Sequence, residues 1–221
     1  MLSYDSAVPN GQDQRAAAPL PSAAAKPIAA TAAGGSTTKP RQRHHLWLVT
    51  GPAGCGKTTV AGHLADALDI PYIEGDQYHP QSNIDKMSSG IPLTDADRWD
   101  WLIELRKQAN SRIHDGAEGV VVACSALKYK YRDVIRVAAY WDRSLTIHII
   151  FLHASAELLL KRVTARKGHY MGANMVKSQI DILERPLEDE VDVITIDASR
   201  DVEEVKEDIL QKVKAMLAAE E

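Results

Sequence analysis

A glycine-rich segment in the first half of the chain carries the residue types that bind phosphate. From position 51 it reads Gly-Pro-Ala-Gly-Cys-Gly-Lys-Thr, which fits G-x-x-x-x-G-K-[ST] at every defined position. Glycines let the backbone curl until successive N–H groups point at phosphate oxygens. We expect Lys57 to reach the β- and γ-phosphates of ATP and the Thr58 hydroxyl to bind Mg²⁺. The predicted nucleotide contacts are Gly51, Pro52, Ala53, Gly54, Cys55, Gly56, Lys57, Thr58 and Thr59.

Two carboxylates follow in the segment Glu74-Gly-Asp76-Gln-Tyr-His-Pro, directly after an apolar run. In open α/β sheets ligands gather at the carboxyl ends of the strands, so we expect both side chains to face the phosphate loop. Asp76 would hydrogen-bond the acceptor hydroxyl, and Glu74 would hold a Mg²⁺-bound water. A later apolar run ends at Cys124 without the acidic residue of a standard Walker B motif. The pair is therefore the best candidate for metal and base chemistry, and a solvated acidic turn is the alternative.

Basic residues after that run could meet an anionic acceptor. Lys128 and Arg132 follow Ser125 and are four residues apart. This spacing would place both cations on one helical face near the mouth of the site. The alternative is a solvated basic face. Asp95, Asp97 and Arg98 lie where a helix is expected to begin, and charges at such a position often only cap the helix.

A second pair of cations precedes a glycine. Arg162 and Arg166 share a helical face, and Gly168 follows them. We predict a small mobile lid over about residues 162–178, which would exclude water and neutralise charge on the transferring phosphoryl group. The alternative is a surface helix with two arginines.

The elements that must position these residues alternate along the chain. Short apolar runs predict strands at 46–49, 70–73, 120–123, 145–152 and 193–196. Helical periodicity predicts helices over residues 57–69, 156–166 and about 202–217. A further helix is predicted to begin after a cap formed by Thr94 and Asp97. Strands that alternate with helices imply right-handed crossovers. We therefore predict an α/β fold of the P-loop NTPase type, in which a five-stranded parallel sheet has helices on both faces.

Composition bounds the possible partners. The chain has 221 residues and a formal net charge of −4, which gives no global attraction to nucleic acid or to an anionic membrane. No apolar run approaches the roughly 20 residues that a membrane span needs. The two cysteines, Cys55 and Cys124, lack metal-like spacing and suit a reducing compartment, so we expect a cytoplasmic protein. A reactive thiol at Cys55 is the alternative to a passive loop residue.

The first 45 residues differ from the rest. They are rich in Ala, Pro, Gly, Ser and Thr and show no apolar periodicity, which predicts a disordered tail over 1–45 before a kinase domain over 46–221. A targeting segment is the alternative, because basic residues outnumber acidic ones there. The stretch lacks the apolar core of a signal peptide.

Taken in order, these motifs resemble the gluconokinases, within the wider group of shikimate kinases and nucleoside monophosphate kinases. The resemblance covers nearly the whole chain from Leu46 onward. The matching blocks are Gly51 to Thr59, Glu74-Gly-Asp76-x-x-His79-Pro80, Asn83-Ile-x-Lys86-Met87-x-x-Gly90-x-Pro92-Leu93-x-Asp95-x-Asp97-Arg98, Cys124-Ser-Ala-Leu-Lys128-x-x-Tyr131-Arg132-Asp133, Arg162-x-x-x-Arg166-Lys-Gly-His169 and Leu183-Glu-x-Pro186. One departure is Glu74, where many relatives carry Asp.

The resemblance implies transfer of the γ-phosphoryl group of ATP to the 6-hydroxyl of D-gluconate, commonly by a homodimer. It places Asp76 at the acceptor hydroxyl, Arg162 near the adenine and Arg166 near the phosphates. The residues that it places around the substrate are His79, Arg98, Ser125, Lys128 and Arg132. Three other functions stay open: a kinase for another small hydroxy acid such as shikimate, a non-catalytic nucleotide-binding regulator, and a nucleic-acid-end kinase.

Overall fold

The computed structural model describes residues 43–140, 142–165 and 173–220. Five strands form one sheet in the order β2-β3-β1-β4-β5, and each neighbouring pair is parallel. The strands are β1 (His44–Thr50), β2 (Tyr72–Glu74), β3 (Gly119–Ala123), β4 (Leu145–His153) and β5 (Val193–Asp197). The predicted five-stranded parallel sheet is confirmed.

Two strands begin two residues away from the predicted start. β1 begins at His44, so His44 and His45, which were assigned to the tail, already pair with β4. Most of the predicted tail lies outside the described residues. β2 begins at Tyr72 instead of residue 70, because Pro71 has no N–H to donate to the sheet. Its carbonyl still accepts a hydrogen bond from the Val121 N–H at 2.9 Å.

Seven α-helices lie among the described residues. They are α1 (Lys57–Leu68), α2 (Gln81–Ser88), α3 (Asp95–His114), α4 (Tyr129–Arg136), α5 (Ala156–Thr164), α6 (Ala173–Asp181) and α7 (Val202–Glu220). The predicted cap of α3 is confirmed, since Thr94 and Asp97 hydrogen-bond each other's backbone in a capping box. None of the helices described is long and apolar enough to cross a bilayer.

Helices cover both faces of the sheet because consecutive strand residues point to opposite sides. Trp47 and Val49 pack on one side with Leu64 of α1 and Val213 of α7. Leu46 and Leu48 pack on the other side with residues of α3 and α4, such as Leu102, Leu105 and Tyr131. The packed helices and sheet hold the carboxyl ends of β1, β2 and β3 side by side. The segments that contain the candidate site residues follow those ends.

Candidate active site

The phosphate loop joins β1 to α1 and needs glycine for two reasons. Gly51, Gly54 and Gly56 have φ values of 144°, 87° and 97°, which side chains of L-residues rarely adopt. A Cβ on Gly51 would also lie 2.4 Å from the Leu152 carbonyl oxygen, and one on Gly54 would lie 2.9 Å from the Leu159 carbonyl oxygen. The backbone is therefore free to form a close cradle at the N-terminus of α1, a shape that fits the phosphates of ATP.

Lys57 lies at the first turn of α1 and is half-buried. Its Nζ donates a hydrogen bond to the Pro52 carbonyl at 3.2 Å, so the ammonium group lies over the loop. Cys55 is buried, and burial raises the pKa of its thiol. A protonated, buried thiol is a poor nucleophile, which favours the passive interpretation of Cys55.

The two candidate metal ligands are linked by a tyrosine that the sequence analysis missed. The Tyr72 hydroxyl donates to Glu74 Oε2 at 2.6 Å, and the Thr58 side chain also hydrogen-bonds Tyr72. Burial raises the pKa of Tyr72, and the neighbouring Glu74 carboxylate raises it further. A hydroxyl and a carboxylate are the oxygen ligands that Mg²⁺ prefers. Because Tyr72 and Glu74 are two apart on one strand, the alternation of side chains could have indicated this contact.

Asp76 lies in a short 3₁₀ turn, Gly75–Tyr78, and its side chain is exposed. The backbone before it is held firmly. Trp101 Nε1 donates to the Gly75 carbonyl at 2.7 Å. A Cβ on Gly75 would lie 2.4 Å from the Ala123 carbonyl oxygen, so the turn is pressed against the end of β3.

The charges of four groups of the predicted site act on the thiol of Cys124, the residue after β3. Burial raises the pKa of this thiol. Asp76 and Glu74 raise it further, while Lys57 and Arg98 oppose the change. The structure therefore brings together two carboxylates and two cations that are spread over 42 positions of the chain, from 57 to 98.

Arg98 is a buried cation that has no carboxylate partner among the described residues. The side chain belongs to α3, and the residue is 7% exposed. Its Nη1 donates to the carbonyls of Leu93 and Thr94, and the guanidinium lies over the Tyr131 ring at 5.6 Å from the centroid. No acidic side chain in residues 43–140, 142–165 or 173–220 forms a salt bridge with it. Such a group is costly to bury alone, so it offers a counter-charge to an anionic ligand.

His79 offers a neutral ring beside the site. It stacks on Trp101 with ring centroids 4.0 Å apart, and Asn83 Nδ2 lies 3.3 Å from its Nδ1. Burial lowers the pKa of His79 to about 4, and the charge of Arg98 adds to this effect. Near neutral pH the ring is therefore uncharged and suited to hydrogen bonding.

The pair of free cations expected after β3 is not found. Lys128 precedes α4 in an extended conformation, so the two residues do not share a helical face. Its Nζ pairs with Asp95 at 2.7 Å. Arg132 is fully buried and donates through Nε and Nη2 to the two oxygens of Glu190. Ser125 is half-buried and lies two residues after the end of β3.

A cavity of about 190 Å³ beside the phosphate loop could take a nucleotide base. Arg162 lines it and donates to the Ala198 carbonyl at 2.7 Å. Arg200, which the sequence analysis missed, also lines it and pairs with Asp208. Residues 166–172 of the predicted lid, which include Arg166 and Gly168, lie outside the described residues. The described part of that lid is the end of α5 and the start of α6.

One contact joins the phosphate loop to α6. The Ala53 N–H donates to Gln179 Oε1 at 2.7 Å, and Gln179 is 5% exposed. The amide side chain therefore fixes the backbone of the phosphate loop at Ala53. No sequence signal marked Gln179, because a single polar residue on a short amphipathic helix is expected to face solvent.

Comparison with known proteins agrees with this geometry. Residues 53–214 match the family model described as shikimate kinase. A probable gluconokinase of Schizosaccharomyces pombe is 46% identical over 181 residues, which cover 78% of this chain and 90% of the relative. The thermosensitive gluconokinase of Escherichia coli is 39% identical, with 77% and 88% covered. The crystal structure of a gluconokinase from Sinorhizobium meliloti superposes with a TM-score of 0.68 at 37% identity, covering 80% of this chain and 95% of that one. The chain belongs to the gluconokinase family, within the shikimate kinase group of P-loop kinases.

Proposed function

We propose that this enzyme transfers the γ-phosphoryl group of ATP to the 6-hydroxyl of D-gluconate and so makes 6-phospho-D-gluconate. The observation that carries the proposal is that the charges of Lys57, Glu74, Asp76 and Arg98 all act on one buried residue, Cys124. Lys57 and Glu74 face the nucleotide side of these four groups. Asp76 offers a base to a hydroxyl, and Arg98, which forms no salt bridge within the described part of the chain, offers a cation to a carboxylate. Gluconate has both of these groups, one at each end.

When bound, ATP would supply the phosphoryl group. Thr58 and Glu74 would hold Mg²⁺, which would neutralise charge on the phosphate oxygens. The transition state of such a transfer is loose, so most of the catalysis comes from alignment and charge neutralisation. Lys57 stabilises charge on the β- and γ-phosphates. Asp76 orients the acceptor hydroxyl and accepts its proton late in the reaction. Arg162 would contact the base, and Arg166 would reach the phosphates when the lid closes.

We also propose an orientation for the substrate in the site. Its carboxylate would meet Arg98, with His79 and Ser125 as hydrogen-bonding partners. Lys128 and Arg132 are already paired with Asp95 and Glu190, so Arg98 carries most of the acceptor's charge compensation. The terminal hydroxyl would then lie between Asp76 and the phosphate loop.

A coupled assay of ADP release tests this substrate assignment. We expect turnover with gluconate and much weaker turnover with glucose, shikimate and nucleoside monophosphates. Glucose lacks the carboxylate, and leaving the buried Arg98 unpaired should cost about 2–5 kcal/mol. Phosphorus NMR of the product should show a phosphate ester on the terminal carbon. Equal rates with glucose, or turnover of shikimate alone, would contradict the proposal, and ATP binding without any turnover would favour the non-catalytic regulator.

Asp76→Asn tests the proposed base. The amide keeps the shape of the side chain and still accepts a hydrogen bond, but it loses the negative charge and the ability to take a proton. Turnover should fall by about 10²-fold or more, within the range for a lost general base. Asp66→Asn, an exposed site on α1, is the matched control. An Asp76→Asn enzyme that works at nearly the full rate would remove Asp76 from the chemistry.

Membership of the family supports a proposal about the oligomeric state, the cellular location and the metal of this protein. We propose a homodimer in the cytoplasm, with Mg²⁺ as the metal of the reaction. Light scattering during size-exclusion chromatography tests the dimer. Loss of turnover on chelation, restored by added Mg²⁺, tests the metal.

A further inference from the structure

A cluster of metal-ligating side chains lies where β1 and β4 begin to pair, under the end of α7. Trp47 on β1 is opposite His148 on β4, and alternate residues of a strand share a face, so His45 lies on the same face as both. The rings of His45 and His148 stack with centroids 5.3 Å apart and an interplanar angle of 23°. Glu220, in the last turn of α7, closes the cluster.

The three side chains hold their ligand atoms close together. His45 Nδ1 lies 3.1 Å from His148 Nε2. One ligand atom from each of His45, His148 and Glu220 lies within 4.8 Å of the other two. A tetrahedral Zn²⁺ ion with bonds of about 2.0–2.1 Å requires ligand atoms about 3.3 Å apart. The separation of the two imidazole nitrogens is close to that value.

The chemical state of the imidazoles suits a metal. His148 is 3% exposed, and burial lowers its pKa to about 4, with His45 as a further cause. Burial also lowers the pKa of His45, although the Glu220 carboxylate opposes this. Metals bind the neutral form of imidazole, and the Glu220 carboxylate offers a charged oxygen ligand beside the two rings.

We propose that His45, His148 and Glu220 bind one divalent transition-metal ion of the Zn²⁺ class, with water at the fourth position. Two imidazoles and a carboxylate are a ligand set that Zn²⁺ accepts, whereas Mg²⁺ prefers oxygen ligands alone. The phosphate loop begins six residues after His45, a distance of about 20 Å along an extended strand. The site is therefore separate from the reaction, and the ion joins the end of α7 to the start of the sheet.

Thermal unfolding of the chelator-treated enzyme measures this binding. Mg²⁺ is kept in excess to occupy the catalytic metal site, and Zn²⁺ is added. At free Zn²⁺ about 100-fold above its dissociation constant, the unfolding midpoint should rise by about 5–10 °C. Co²⁺ in place of Zn²⁺ should give the visible absorption of a tetrahedral site at one equivalent per chain. A midpoint that does not respond to Zn²⁺ would overturn the proposal.

Variants identify the ligands. Glu220→Gln and His45→Gln should each abolish the Zn²⁺-dependent shift, and both positions are only partly buried, so the variants should fold. The matched controls are Glu204→Gln, at an exposed position of α7, and His114→Gln, at an exposed position of α3. A shift that survives both ligand substitutions would place the ion elsewhere and overturn the proposal.

Substitution of Arg43 tests the proposal through an expected increase in Zn²⁺ affinity. Its Nη1 pairs with Glu220 at 3.3 Å, and its side chain is 61% exposed. Because this cation competes with the metal for the carboxylate, Arg43→Ala should tighten Zn²⁺ binding a fewfold. Weaker binding by Arg43→Ala would contradict the arrangement.

Discussion

Lys57→Ala should remove useful turnover and leave the fold unchanged. The ammonium group lies over the phosphate loop, and its hydrogen bond goes to the Pro52 carbonyl instead of the core. Without it, charge on the β- and γ-phosphates is only partly neutralised, which should raise the barrier by about 3–5 kcal/mol. The turnover number should therefore fall by roughly 10²–10³-fold or more.

Steady-state kinetics with saturating ATP and gluconate measure the loss, and circular dichroism with thermal unfolding checks the fold. Lys107→Ala is the matched control, because Lys107 is an exposed residue of α3. If the Lys57→Ala enzyme keeps near-normal turnover, the phosphate loop does not act in the way proposed. A variant that fails to fold would show that Lys57 supports the structure, contrary to the expectation.

Glu190→Gln should destabilise the protein more than most single substitutions. Arg132 is fully buried, and both of its contacts to a charged partner go to Glu190. Removal of that charge leaves an uncompensated buried cation, which should cost about 3–5 kcal/mol of unfolding free energy. Urea unfolding measures the change, and Glu188→Gln, at an exposed position of the same loop, is the matched control. Equal stability of the two variants would contradict the role of the pair.

The same pair predicts a dependence on pH. Burial alone would raise the pKa of Glu190, but hydrogen bonds from Arg132 and Arg136 lower it from 4.5 to about 2. A lowered carboxyl pKa stabilises the folded state above the unfolded pKa, and this contribution is lost as the pH falls through the folded pKa. The stability difference between wild type and Glu190→Gln should thus be constant above about pH 4.5 and shrink towards pH 2. A difference that is the same at pH 6 and pH 2.5 would show that charge is not its cause.

Arg132 illustrates which parts of the molecule could be predicted from the sequence and which could not. The phosphate loop and the buried strands follow from local order in the chain, because motif spacing and apolar runs act over a few residues. Arg132 and Glu190 are 58 residues apart, and Gln179 and Ala53 are 126 residues apart. Only the folded sheet brings such partners together. From spacing alone, Arg132 was therefore predicted to be a cation that faces the substrate.

Gly75 limits how the substrate range of this enzyme can be redesigned. A glycine in such a turn is commonly interpreted as a source of backbone freedom, but here the constraint is space: even a methyl group would lie 2.4 Å from the Ala123 carbonyl oxygen. Enlarging this residue would push the strand ends apart and displace Asp76. Directed evolution towards larger or neutral sugars should therefore keep Gly75 and find its useful changes at His79, Arg98 and Ser125, whose side chains border the proposed acceptor.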